Sequence, residues 1–340
     1  MSPVPSRTRP RPRLRRGPRR LAAATAVLLL GGALVACGDD ASPADAAGPG
    51  EDGLTTVTLA SAPLGHLAPI HLAQRHGIFA EHGLNVEVDT ENSDLTSVPS
   101  VLADRVDFAT GDLTTLIVAR AKGLDVKAVV PASASTGVPG EDYGALIVDG
   151  DSGITRPSEL AGKTVSVNIL TNIASAAARE AISADGGDPD SVELVELPFP
   201  QVPAAVSTGQ VDGAWVVEPF LSAAEAEGAV PIGWGFTDLA EDLTVSSWYT
   251  SGSFVEQHPE TVEAFRAAVR EAYAYARAHE DEVREIIPTF TDISPEVADS
   301  ITITGWRDEV SREAAEKLVG YALRDELITE EPDLDELILP

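Results

Sequence analysis

From residue 55 onward, short runs of alternating apolar and polar residues take turns with longer stretches whose apolar positions recur at helical spacing. The runs "TTVTLAS" (55–61), "LNVEVDT" (84–90), "VDFATGD" (106–112), "VKAVVPA" (126–132) and "GALIVD" (144–149) predict strands, since β-branched residues suit a pleated surface. "IHLAQRHG" predicts a helix stopped by Gly77, and "SVPSVLADR" a short one. Asp112 stands where a side chain can cap "LTTLIVARAKG", which ends at Gly123. A second series repeats the theme. It holds strands in "KTVSVN", "VELVEL" and "DGAWVV", and helices in "TNIASAAAREAISADGG" and "PAAVSTG". After one further strand, "SSWYTSG", helices dominate, notably 259–279 and 312–324. Strand–helix alternation of this kind predicts an α/β chain with crossover connections.

Two similar α/β series followed by a helical tail predict two lobes rather than one large sheet. The connections at Val148–Asp151 and Thr237–Ser246 are the expected crossings. The first lobe is then 55–149 plus 243–340, and the second 150–242. Phe265, Tyr273 and Tyr275 lie at helical spacing and read as helix core.

The N-terminal segment has a different character. Residues 1–20 hold eight arginines and five prolines, with no acid, and an apolar run follows from Leu21 to Val35. That is the layout of a signal peptide, residues 1–36, with an apolar region too short to span a bilayer comfortably. The run ends in "LVAC", and Cys37 is the only cysteine of the chain. This resembles a bacterial lipobox, which implies lipidation at Cys37 and membrane attachment; the plain alternative is a cleaved signal that happens to contain a cysteine. Two acyl chains would hold stably, each buried methylene contributing about 0.8 kcal/mol. Residues 37–54, acidic and rich in Pro, Gly and Ala, read as a tether. Arg15-Arg16 and Arg19-Arg20 leave the export route open between the general and twin-arginine pathways. Loss of the leader removes eight of the 24 basic residues and no acid, leaving 16 against 54 acids, a net charge of −38. Such a surface repels nucleic acid and does not draw an acidic membrane face.

Four blocks in order resemble the nitrate/sulfonate/taurine/thiamine-precursor substrate-binding proteins of ABC importers. They are "LAPIHLAQRHGIFAEHGLNVEV", "VLADRVDFATGD", the stretch from "ELAGKTVSVN" to "GAWVVEPF", and "SGSFVEQHPETVEAFRAAVREAYAYA". The resemblance implies a type II periplasmic-binding-protein fold, two lobes joined by two hinge crossings, with a solute held between them. It also implies an ABC permease and ATPase as partners, a monomer, and no cofactor. Relatives carry nitrate, alkanesulfonates, taurine, bicarbonate and pyrimidine vitamins, so the solute stays open.

The resemblance places the cleft at loops that follow strand ends, where open α/β sheets bind ligands. The candidates there are Ser61, Gly65 and His66 in "SAPLGH"; Thr110, Gly111 and Asp112; and Asn168, Thr171 and Asn172, at a helix whose first N–H groups have no intrahelical partner. Trp215 and Glu218 close "DGAWVV", where Pro219 prevents the strand from continuing. Alternation puts Trp215 and Val217 on one face and Val216 on the other. Each has a plainer alternative: Asp112 and Asn172 as helix caps only, His66 bound to backbone, Trp215 as lobe core and Glu218 as a cap. Between Asp151 and Leu239 only Arg156, Lys163 and Arg179 face thirteen acids, and none falls in a cleft loop. An amine-bearing or neutral solute fits that lobe better than a bare anion. His71, His76 and His82 share no metal-binding spacing, and no G-x-S-x-G or phosphate-cradling motif is present. The alternative to a binding protein is a lipid-anchored sensor or enzyme on the same fold.

Overall fold

Strand β1 (Thr55–Ala60) buries Val57 and Leu59 on one face and Ala60 on the other, as its alternation predicts. It belongs to a computed structural model that describes residues 53–92 and 96–340. The leader, Cys37 and tether residues 37–52 lie outside the described residues. The described residues belong to one compact unit built on two five-stranded sheets.

The first sheet has the order β2-β1-β3-β10-β4, with β2 at Leu84–Asp89, β3 at Phe108–Asp112, β4 at Val126–Ala134 and β10 at Thr244–Ser251. β1 runs parallel to β2 and β3, while β10 is antiparallel to β3 and β4. The second sheet has the order β7-β6-β8-β5-β9, with β5 at Gly144–Asp149, β6 at Thr164–Val167, β7 at Glu193–Glu196, β8 at Gly213–Val217 and β9 at Ala229–Gly233. Here β6 is parallel to β7 and β8, and β5 is antiparallel to β8 and β9. Each sheet thus takes, as its single antiparallel insertion, the strand that has just arrived from the other half.

That pairing corrects the expected boundary. β5 belongs to the second sheet, so the first crossing lies at residues 135–143 rather than 148–151, and the second at 234–243. Asp142 organises the first crossing: its carboxylate accepts from Ser135 Oγ (2.5 Å), Thr136 N (3.1 Å) and Tyr143 N (2.8 Å). Ser135 N donates to Leu243 O at 2.9 Å, fastening the two crossings to each other.

Three apolar clusters support the sheets. One packs Val57, Leu59, Phe108 and Trp248 against the helices Ala68–His76 and Pro259–Ala278, where Phe265 and Tyr273 are fully buried, as expected from their spacing. Phe108 and Phe265 stack with centroids 4.2 Å apart. A second covers the outer face of β5 and β8 with Val216, Val202 and Leu221. The third joins Leu113 and Ile117 of helix Leu113–Ala121, Leu318 and Ala322 of helix Arg312–Arg324, and Trp215, Phe236 and Ala177 from the second half. Each buried Val, Leu, Ile or Phe side chain among them contributes about 1.5–3 kcal/mol by leaving water. Gly144 lets Trp215 and Phe236 meet over β5, since a Cβ there would lie 2.7 Å from the Phe236 ring.

Candidate functional site

All the parallel strands beside the interface end on one side of it. The last residues of β3 and β8, the loops after β1, β6 and β8, Tyr143 just before β5 and the first residues of β10 help to enclose a cavity of about 320 Å³ between the sheets. That is at the small end of the range for ligand pockets, roughly 300–1,000 Å³.

The first half supplies Gly65, His66, Thr110, Gly111 and Asp112 to the wall. His66 is buried, and burial alone pushes its pKa down to about 4, so the imidazole is neutral at physiological pH. Its Nε2 pairs with Ser61 Oγ at 2.8 Å, and the same hydroxyl pairs with Thr110 Oγ1 at 2.8 Å. Ser61 itself does not line the cavity; it stands behind the wall and holds two lining side chains in place. The plain alternative for His66, a bond to backbone, is replaced by this hydroxyl contact. Gly111 leaves room for the Tyr249 ring, which a Cβ would approach to 3.1 Å.

Asp112 is a cap, as its plainer alternative supposes, but of two helices. It accepts from Thr115 N at 3.0 Å, from the Thr115 hydroxyl, and from Ile173 N at 3.3 Å, the first residue of helix Ile173–Ala184 in the opposite half. Burial raises its pKa above the ordinary carboxylate range, and these donors oppose the shift. Asn172 caps the same opposing helix by accepting from Ala174 N at 3.0 Å, while its amide donates to Asn168 Oδ1 at 3.2 Å. The first two amides of that helix, which the sequence offers as an anion site, are therefore taken by protein oxygens. Asn168 and Asn172 line the cavity; Thr171 does not and is exposed.

At the end of β8, Trp215 is completely buried and yet lines the cavity, as does Val217, while Val216 faces the outer cluster. Its ring meets Phe236 edge-on at 4.9 Å, and its indole Nε1 has no hydrogen-bond partner in the protein. Glu218 lines the cavity, but both of its oxygens are engaged: it accepts from Ser222 N (3.0 Å), Ser222 Oγ (2.8 Å) and Thr302 N (2.9 Å). The first satisfies an N–H in the opening turn of helix Phe220–Ala226; the third ties the second half to the C-terminal segment. Burial raises its pKa as well.

Sequence reasoning did not nominate Tyr143, Phe236, or Ile301–Thr304, all of which line the cavity. Ile301–Thr304 arrives there because Ala134 and Gly305 exchange backbone hydrogen bonds of 2.8 and 2.9 Å. Nothing in "SITITGW" marks that pairing. Among the described residues, no three of His, Cys, Asp and Glu are grouped to hold a metal.

Two sheets linked by two crossings, with a cavity at their facing strand ends, define a protein of the periplasmic-binding-protein fold. Solved structures share it. The zinc-bound ligand-binding component of an ABC-type import system from Staphylococcus aureus aligns with a TM-score of 0.70 at 16% identity, covering 84% of this chain and 96% of its own. The aliphatic sulphonate binding protein SsuA from Escherichia coli aligns with a TM-score of 0.69 at 16% identity, covering 84% and 92%. The desulfurization enzyme DSZB also aligns, with a TM-score of 0.58 at 18% identity, covering 84% and 96%. Residues 65–283 match the model of the NMT1/THI5-like family, and the chain belongs to that family. It is 28% identical over 211 residues to the taurine-binding periplasmic protein of Escherichia coli, covering 60% of this chain and 62% of that relative.

Proposed function

We propose that the protein is the extracytoplasmic solute-binding component of an ABC importer, held to the outer face of the cell membrane by acyl chains on Cys37. The observation that carries the reading is the cavity, whose wall comes from both halves, so that a solute completes its contacts only when they are together. Binding then shifts the population toward the closed form, whose combined surface a permease reads. Gly65, His66, Thr110, Gly111, Asp112, Asn168, Asn172, Trp215 and Glu218 form the wall facing the solute, with Ser61 as support. The taurine-binding periplasmic relative supports extracytoplasmic solute binding.

A catalytic role on the same fold is the competing reading, since DSZB shares the architecture. The Ser61–His66 contact is the arrangement nearest to a nucleophile and its base. Ser61 Oγ is shared with Thr110 and stands off the cavity wall, so the pair serves to brace His66. A thermal-shift screen with sulfonates, taurine, nitrate, bicarbonate and pyrimidines tests the solute reading. A true solute at a hundred times its Kd stabilises the native state by about 2.7 kcal/mol. Turnover of a bound compound, with the compound recovered altered, would decide for the enzyme.

A further inference from the structure

We infer that the solute of this cavity carries no net negative charge: it is an uncharged or cationic organic molecule, because Asp112 already occupies one helix N-terminus at the cleft and, among the described residues, no basic side chain lines it. The inference rests on the solute-binding reading and chooses the ligand class within it.

Three observations converge. One place where this architecture could offer an anion its partners is the N-terminus of the twelve-residue helix Ile173–Ala184, which faces the cavity. There, Ile173 N already donates to the Asp112 carboxylate and Ala174 N to the Asn172 side chain. A solute anion would meet occupied amides and a fixed carboxylate. Secondly, Glu218 adds another buried carboxylate to the wall, and among the described residues no lysine or arginine lines the cavity. In a space with little water, like charges repel more strongly than they would in bulk solvent, and no basic side chain in this wall offsets the repulsion.

The third observation says what the solute must bring. Trp215 is fully buried, lines the cavity, and leaves Nε1 without a partner. An indole N–H can only donate, so it calls for an acceptor on the solute, a need that a neutral carbonyl, ether or ring nitrogen meets without bringing a charge, although an anionic oxygen would accept it too. The rings of Tyr143 and Phe236 beside it suit an apolar body on the same molecule.

The test uses the full chain and matched pairs that differ mainly in charge: benzenesulfonate with benzenesulfonamide, propanesulfonate with propanesulfonamide, and benzoate with benzamide, plus benzylamine and taurine. Thermal shift finds the binders, and calorimetric titration ranks them. The expected result is that binding is confined to the uncharged and cationic members, each at least tenfold tighter than its anion. Trp215→Phe, which keeps an aromatic ring but loses the donor together with the pyrrole half of the indole, should weaken the uncharged binders about tenfold. Asp112→Asn, which keeps a capping side chain, should narrow the gap between anion and neutral partner about tenfold. An anion that binds wild-type protein as tightly as its neutral partner overturns the inference while leaving the solute-binding reading intact. If no member of either arm binds, and none of the broader screen does, the solute-binding reading falls and takes this one with it.

Discussion

His66 offers the clearest test of how the cavity wall is held. Its imidazole is buried, its partner is the neutral hydroxyl of Ser61, and burial holds its pKa down at about 4 against an ordinary value of 6.5. The depressed value has a definite sign. Above pH 6.5 the ring is neutral in both the folded and unfolded chain, and its full contribution to stability is present. As pH falls below 6.5 the unfolded chain takes up a proton that the folded protein refuses until about pH 4, so stability drains away across that window. About 2.5 pH units at roughly 1.36 kcal/mol each amounts to about 3 kcal/mol. The buried carboxylates Asp112, Asp142 and Glu218, whose pKa values are raised, act in the opposite direction and gain on acidification. Wild type is therefore compared with His66→Asn, which does not titrate, at each pH, so that the carboxylates cancel. Melting curves from pH 7.5 to 4 should show wild type losing about 3 kcal/mol relative to the variant. That corresponds to about 6–12 °C at roughly 2–4 °C per kcal/mol for a protein of this general size. A difference between the two proteins that stays flat from pH 7.5 to 4 would refute burial as the controlling cause.

Other outcomes follow from the same geometry. Glu218→Ala strips the acceptor from two backbone amides and the Ser222 hydroxyl, and should cost about 2–3 kcal/mol in urea unfolding; a loss below about 0.5 kcal/mol would mean that the tie to Thr302 does not hold. Saturating solute should lower the radius of gyration in small-angle scattering, and an unchanged profile with a proven binder would contradict ligand-linked closure. Cys37→Ser should leave the protein unprocessed or released, and retention of mature protein in the membrane fraction would count against the lipid anchor.

Local chemistry was legible in the sequence wherever one element could supply it. Asp112 and Asn172 stand directly before apolar helical runs, and each accepts from an amide inside the helix that it precedes. Val216 and Trp215 fall on opposite faces because a strand alternates, whatever surrounds it. Partnership between distant segments was not legible. "GALIV" is apolar throughout and buried along Gly144–Val148, so nothing in it tells which sheet it joins; that is fixed by its pairing with β8 and β9, which lie much later in the chain. Ser61 and Thr171 look alike on paper as strand-end polar residues. Packing alone sends Ser61 behind the wall and Thr171 into solvent.

The order of the two sheets explains why the strand-end residues meet at all. In each sheet the strand arriving from the other half inserts antiparallel beside the third parallel strand, β10 beside β3 and β5 beside β8. An antiparallel strand begins where its parallel neighbours end, so both crossings reach their sheets at the cavity side. Tyr143 and Ser246 then join Asp112 and Glu218 in one wall. The same arrangement makes closure depend on contacts between passages remote in sequence: Asp112 with Ile173, Glu218 with Thr302, and Tyr321 of the C-terminal helix with Glu180. On the ligand-linked closure proposed above, a solute would shift this equilibrium only by what it adds beyond those contacts. Because Asp112 and Asn172 already meet the first two opposing amides, that addition would come from groups they leave unserved, the unpartnered Trp215 indole among them.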